Sequence, residues 1–259
     1  MGFADVPRAE RELASLGIAA DDHPLLAALA QAADPDLALI GLAQVADRDH
    51  TLIKSLAGDA AFRARLIAVL GVSKALADHL ARHPADSAVL RGRDADHRGE
   101  PGKIRDELLR SVGADPGDRE PVAAGLDSGI DPAALLAAAY RRRLLHLAGR
   151  DLTGVAAFDE VAAELADLAD AVLDAALAVA RAEIPADAPS AASAAGARLA
   201  VVAMGKCGAR ELNYASDIDV IFVAEPADEQ TSEQEALTLA TKLAAEIGAS
   251  CRERVCAIV

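Results

Sequence analysis

Phe158, Val161, Leu165, Leu168, Val172, Ala175 and Val179 recur at spacings of three and four residues, which puts them on one stripe of a long helix. The stripe has the a/d form of about three heptads, so it needs a helical surface to cover it, supplied by a partner chain or by this chain's own helices. Composition limits what that surface is made of. Aromatic residues are 2% of the chain, there is no tryptophan, and 53% of residues are hydrophobic. The core must therefore be built from Leu, Ala, Val and Ile, whose small volumes let helices approach closely. A mainly α body follows.

The N-terminal part breaks into short helical pieces, each opened by a cap or a proline. Asp34-Pro35 precedes LALIGLAQVAD, Asp59 precedes AAFRARLIAVLG, and Ser73 precedes KALADHLARHP. Such spacing predicts antiparallel helices joined by tight turns. KIRDELLRSVG predicts another helix ending at Gly113, and the Gly-, Pro- and Asp-dense ADPGDREPVAAGLDSGI predicts an exposed loop. Asp131-Pro132 then caps AALLAAAYRRRLLHLAG, which Gly149 is expected to close before a turn at 150–154.

After the striped helix the period changes. Pro185, Pro189 and SAASAAG read as a low-complexity linker. RLAVVAM (198–204) and DIDVIFV (217–223) are apolar, β-branched runs that predict buried strands, and 232–250 returns to helical spacing through Leu237, Ala240, Leu243, Ala244 and Ile247. The expected organisation is a helical region at 1–184, a linker at 185–196, and the start of an α/β unit at 197–259.

Charge and targeting exclude several classes. With 26 Lys+Arg against 41 Asp+Glu, the net charge of -15 repels nucleic-acid backbones and anionic lipid. The N-terminus MGFADVPRAERELA carries charge throughout and no signal-peptide core, and no apolar run reaches the roughly 18 residues a membrane span needs. Cys207, Cys251 and Cys256 form neither a CxxC nor an even disulfide set, which suits inert buried thiols in a reducing compartment. The expectation is a cytoplasmic protein with no nucleic-acid or membrane partner.

Two polar groupings carry little. His79 and His83 stand on one helical face as zinc would accept, but no third ligand accompanies them, and histidines in a last turn complement the helix dipole. Tyr140 and the three arginines after it fan around their helix and do not converge on one ligand. Gly205 and Gly208 follow a strand, yet the spacing matches neither the dinucleotide fingerprint nor a P-loop.

Asp217 and Asp219 differ in kind. On a strand, residues two apart share a face, so both carboxylates project together while Ile218, Val220 and Phe222 take the other side. Paired carboxylates suit Mg²⁺, which takes one or two protein acids and fills its remaining positions with water and phosphate oxygens. Solvated acids at a strand entrance remain the alternative. Upstream, Gly205 and Gly208 let backbone N–H groups approach phosphate oxygens, Lys206 adds a positive charge, and Ser216 places a hydroxyl before the first aspartate.

The order strand, glycine turn, polar connection and Ser-Asp-x-Asp resembles the nucleotidyltransferase fold of DNA polymerase beta-like enzymes. Within it, GKCGARELNYASDIDVIF is most similar to glutamine synthetase adenylyltransferases, whose pattern is approximately GKxGxxELNxxSDxDxxF. Lys206, Asn213 and Tyr214 separate it from the related uridylyltransferases, and GVSKALADHLARHP and YRRRLLHLAGRDLTG resemble the N-terminal half of that family in its actinobacterial form. Cys207 and Ala209 stand where the family commonly has Leu and Gly.

The resemblance implies a bifunctional enzyme of nitrogen regulation that attaches AMP from ATP to a tyrosine of glutamine synthetase and, in the half matched here, removes it by phosphorolysis with release of ADP. It implies Mg²⁺ at Asp217 and Asp219 as catalytic acids, and phosphate or nucleotide at Gly205, Lys206, Gly208 and Ser216. Glutamine synthetase and a PII-type nitrogen-signal protein would be its partners. The family's third metal acid lies on a later strand, shortly before Leu-Arg-Pro, and the terminal ERVCAIV departs from the family's continuation, so a truncated or frame-shifted end and an incomplete metal site are expected. Two other readings stand beside this one: a helical docking or regulatory module, and a stand-alone small-molecule nucleotidyltransferase.

Overall fold

A computed structural model describes residues 2–19, 22–124, 129, 131–184 and 196–252. The chain forms two compact units that interleave in sequence: one comprises 1–98 and 141–158, the other 99–140 and 159–259. Among the described residues it is mainly helical.

The first unit contains α1 (Val6–Ser15), α2 (His23–Gln31), α3 (Pro35–Ala46), α4 (Leu52–Gly58), α5 (Ala60–Leu70) and α6 (Lys74–Arg82), two short 3₁₀ turns, and the C-terminal part of α8 (Pro132–Leu152). The caps explain the boundaries. The side chains of Asp5, Asp22, Asp34, Asp59 and Ser73 each accept from the backbone N–H three residues on, at 3.0, 3.3, 2.9, 2.9 and 3.2 Å, satisfying donors the helix itself leaves open. Leu29, Leu42, Leu52, Leu56, Phe62, Leu66, Leu70, Leu80 and Leu90 are fully buried in one core.

Gly149 does not close α8, which continues to Leu152. A Cβ at 149 would stand 2.6 Å from Leu90 Cδ2, so this glycine serves close approach inside a helix. Of the histidine pair, His79 Nε2 lies 2.8 Å from Asp86 Oδ2; among the described residues no three His, Cys, Asp or Glu side chains are grouped to hold a metal.

The second unit contains α7 (Pro101–Ser111), the start of α8 through Tyr140, α9 (Phe158–Ala182) from Asp159 on, β1 (Ala197–Ala203), the single turn α10 (Gly205–Gly208), β2 (Val220–Pro226) and α11 (Glu233–Arg252). The predicted stripe on α9 is buried from Val161 to Val179, while its first member, Phe158, is 86% exposed. The loop expected to be exposed after α7 is partly buried: Ala123 N–H donates to Ala178 O at 2.9 Å and Arg181 Nη1 donates to Pro121 O at 3.2 Å. Residues 125–128 and 130 of that loop, 185–195 of the linker, and the terminal 253–259 with Cys256 lie outside the described residues.

β1 and β2 pair antiparallel with Ala203 opposite Val220 and Ala197 opposite Pro226. The strands are not buried on both faces as their apolar runs predict. Val202, Ile221 and Val223 are exposed, while Leu199, Val201, Val220 and Phe222 are half-buried. α11 packs on the sheet with Ala236, Leu239, Ala240, Leu243 and Ile247 buried, and Leu237, expected on its inner stripe, points outward. A capping box opens this helix: Glu235 N–H donates to Ser232 Oγ at 3.3 Å and Ser232 N–H to Glu235 Oε2 at 2.9 Å. Cys207 and Cys251 are buried. Among the described residues no helix is long and apolar enough to cross a membrane.

Candidate functional site

Strand β2 begins at Val220, three residues later than the apolar run predicts, so Asp217 and Asp219 lie just ahead of it. Ile218 forms an isolated bridge and is buried, whereas both aspartates are exposed. Burial alternates through this segment outside the regular strand: Ile218 is covered, and the acids on either side of it are exposed. The antiparallel register continues one residue beyond the regular strand, with Met204 N–H donating to Asp219 O at 2.8 Å.

That bond joins the two halves of the motif. At Gly205 the backbone turns left-handed, with φ +52°, and a Cβ there would stand 2.7 Å from Asp219 Oδ2. Only a residue without a side chain lets the carboxylate lie so close to the turn. Lys206 Nζ lies 3.4 Å from Ser216 Oγ, placing the cation and the hydroxyl together. Gly205, Lys206, Ser216 and Asp219 thus converge from two segments of the chain, and Asp217 adjoins Ser216. Gly208 is held differently: a Cβ there would stand 2.4 Å from Ala203 O, and its N–H donates to Met204 O at 2.9 Å. Its role in the geometry is to let α10 pack on the end of β1.

The turn ends in a Schellman motif. Glu211 N–H donates to Lys206 O at 2.8 Å and Arg210 N–H to Cys207 O at 3.0 Å, with Arg210 in the left-handed conformation at φ +60°. Glycine is the usual residue there, and a side chain costs roughly 1–2 kcal/mol. Arg210 supplies what glycine could not: its Nη2 donates to Asp167 Oδ1 at 2.5 Å and to Ala163 O at 3.2 Å, both on α9. The Asp167 side chain is only 4% exposed, so this is a charge-assisted bond to a buried carboxylate. Sequence reading missed Arg210, because its partner lies 43 residues away and nothing local signals it.

Electrostatics separates the α9 acids from the site acids. Partial burial, and then repulsion from Asp167, push the Asp170 carboxyl above the ordinary range against the opposing pull of Arg210. Arg105 Nε donates to Asp174 Oδ2 at 2.5 Å. Among the described residues neither Asp217 nor Asp219 has an ion-pair partner. Their donor set is two exposed carboxylates beside a serine hydroxyl, all hard oxygen, which fits a hard divalent cation such as Mg²⁺.

Comparison with known proteins agrees with the motif. The sequence profile of the family glutamate-ammonia ligase adenylyltransferase matches residues 63–256. A bifunctional glutamine synthetase adenylyltransferase/adenylyl-removing enzyme of Cutibacterium acnes is 46% identical over 195 residues, which is 74% of this chain and 19% of that protein. Proteins of the same description are 46% identical over 207 residues in Streptomyces coelicolor, covering 78% and 18%, and 43% identical over 181 residues in Mycobacterium leprae, covering 67% and 16%. The chain spans about a fifth of the length of these curated relatives. The glycine turn, the Ser-Asp-Ile-Asp segment and most of the helical region lie within the matched span, and the chain belongs to the glutamate-ammonia ligase adenylyltransferase family.

Proposed function

We propose that the strand, turn and strand at 197–226 form the phosphate- and metal-binding part of a nucleotidyltransferase site of the DNA polymerase beta-like kind, and that it serves removal of AMP from an adenylylated tyrosine of glutamine synthetase. The observation that carries this reading is the convergence of Gly205, Lys206, Ser216 and Asp219 beside Asp217. Relatives named adenylyl-removing enzymes support the choice of reaction.

In that reaction a phosphate oxygen attacks the phosphorus of the AMP–tyrosine diester in line, the P–O bond to tyrosine breaks, the phenolate takes up a proton, and ADP leaves. Asp217 and Asp219 would hold Mg²⁺, which supplies charge neutralisation at the phosphodiester. Lys206 provides a second positive charge to the phosphate oxygens, and the Ser216 hydroxyl, beside Lys206 Nζ, donates to one of them and fixes its direction. Gly205 keeps the turn close enough to Asp219 for phosphate and carboxylate to share one site. Little covalent chemistry falls to the protein in phosphoryl transfer, so positioning and charge neutralisation carry the rate.

The test is ADP release from adenylylated glutamine synthetase by the chain with Mg²⁺ and inorganic phosphate. ADP is expected only when phosphate is present, and Asp217→Asn together with Asp219→Asn is expected to slow it about 100-fold or more, since a catalytic metal contributes several kcal/mol. Undiminished ADP release by the double variant, or release of AMP without phosphate, contradicts the reading.

A further inference from the structure

Beside the Ser216–Asp217 segment the second unit contains a cavity of about 190 Å³, and we propose that it is the adenine subsite of the phosphate site; the proposal rests on the reading of the preceding subsection. Size is the first argument. Pockets for drug-sized ligands run from about 300 to 1,000 Å³, so this cavity is too small for a whole nucleotide and suits a single ring system. Its chemistry is the second. Buried Leu165 and Ala169 of α9, with Leu212, give apolar walls, and Tyr140 and Tyr214 add two aromatic rings. The chain contains only two tyrosines and no tryptophan, and both tyrosines line this one cavity. Tyr214 is 48% exposed there, an aromatic surface kept in contact with solvent by a chain that has few to spend.

Position is the third argument. Ser216 and Asp217 line the same cavity, and Ser216 Oγ is the atom 3.4 Å from Lys206 Nζ. Ser216 therefore links the cavity to the Lys206 side of the phosphate site, where the phosphates of a ligand with its ring in the cavity would lie. A neutral planar ring joined to phosphate is the chemical class that matches, and adenine provides it. Stacking on an aromatic side chain is tolerant of exact ring placement and strengthens binding without a charged partner.

Isothermal titration of the chain in Mg²⁺ separates the ring from the phosphates, with ADP, tripolyphosphate and phenyl phosphate as probes. The unaltered chain is expected to bind ADP more tightly than tripolyphosphate. Tyr214→Ala is expected to weaken ADP by about fivefold to 150-fold, the range that one stacked base contributes, and to leave tripolyphosphate unchanged; Tyr214→Phe, which keeps the ring, is expected to retain ADP affinity. Unchanged tripolyphosphate binding also shows that Tyr214→Ala has folded. The proposal is overturned if Tyr214→Ala leaves ADP affinity intact, if it weakens ADP and tripolyphosphate equally, or if phenyl phosphate is the probe that depends on Tyr214, which would assign the cavity to a tyrosyl ring. Tripolyphosphate bound as tightly as ADP by the unaltered chain overturns the adenine subsite and leaves the phosphate site standing. Binding of neither overturns both.

Discussion

Two sets of aspartates in the second unit are handled in opposite ways. On α9, Asp167 receives Arg210 and Asp174 receives Arg105, each at 2.5 Å. Ahead of β2, Asp217 and Asp219 stand exposed, without an ion pair among the described residues. The α9 acids are buried or half-buried, and an uncompensated carboxylate there would cost folding free energy, so permanent guanidinium charges accompany them. The site acids avoid that cost by staying in water, which leaves their oxygens available to a cation. One set is finished structure, and the other is, on the function proposed above, a donor set. The two are physically joined, because Arg210 ends the glycine turn and reaches back to α9.

The comparison predicts that α9 pairs govern stability and that the site acids do not. Arg210→Ala should have the largest effect, lowering unfolding free energy by about 1–3 kcal/mol through loss of a donor to a buried carboxylate. Arg210→Gly loses the same donor but relieves the left-handed strain, and should be more stable than Arg210→Ala by about 1 kcal/mol. Urea denaturation of the three proteins measures both; equal stability of the Gly and Ala variants breaks the strain argument.

Gly205→Ala comes next. A Cβ at φ +52° meets Asp219 Oδ2, so a cost of about 1 kcal/mol is expected together with weakened Mg²⁺ binding, and a destabilised variant with unaltered Mg²⁺ affinity would separate Gly205 from the site.

Asp170→Asn should have the smallest effect and the opposite sign. Its carboxyl titrates above the ordinary range in the folded chain, so the folded state holds the proton more firmly than the unfolded one, and stability falls as pH rises from the ordinary carboxylate range through the raised value. The Asn variant should therefore gain stability at pH 7, by no more than about 0.5 kcal/mol, and the gain should vanish below pH ~3.5. Thermal unfolding at the two pH values checks it.

Much of this was legible in the sequence for local reasons. The N-caps at Asp34, Asp59 and Ser73 each act within three residues, and the stripe on α9 follows helical geometry alone. The exposed–buried–exposed alternation at 217–219 follows from local polarity, and it is present although the regular strand starts at Val220. What the sequence did not show depends on neighbours far along the chain. Gly149 reads as a helix stop until Leu90 is seen against it. Strands β1 and β2 read as buried because apolar content reports what could be covered, not how many layers cover it. Arg210 carries no local signature, since its bond spans 43 residues.

The central claim, that Asp217 and Asp219 are a cation site and not part of the stabilising charge network, is tested most directly by thermal unfolding of the chain and of its Asp217→Asn plus Asp219→Asn variant, with and without Mg²⁺. Without metal the two should unfold at closely similar temperatures. Mg²⁺ at about 100 times its dissociation constant should add about 2.7 kcal/mol to the unaltered chain and nothing to the variant. A variant that responds to Mg²⁺ as the unaltered chain does, or that is strongly destabilised without metal, would contradict the account.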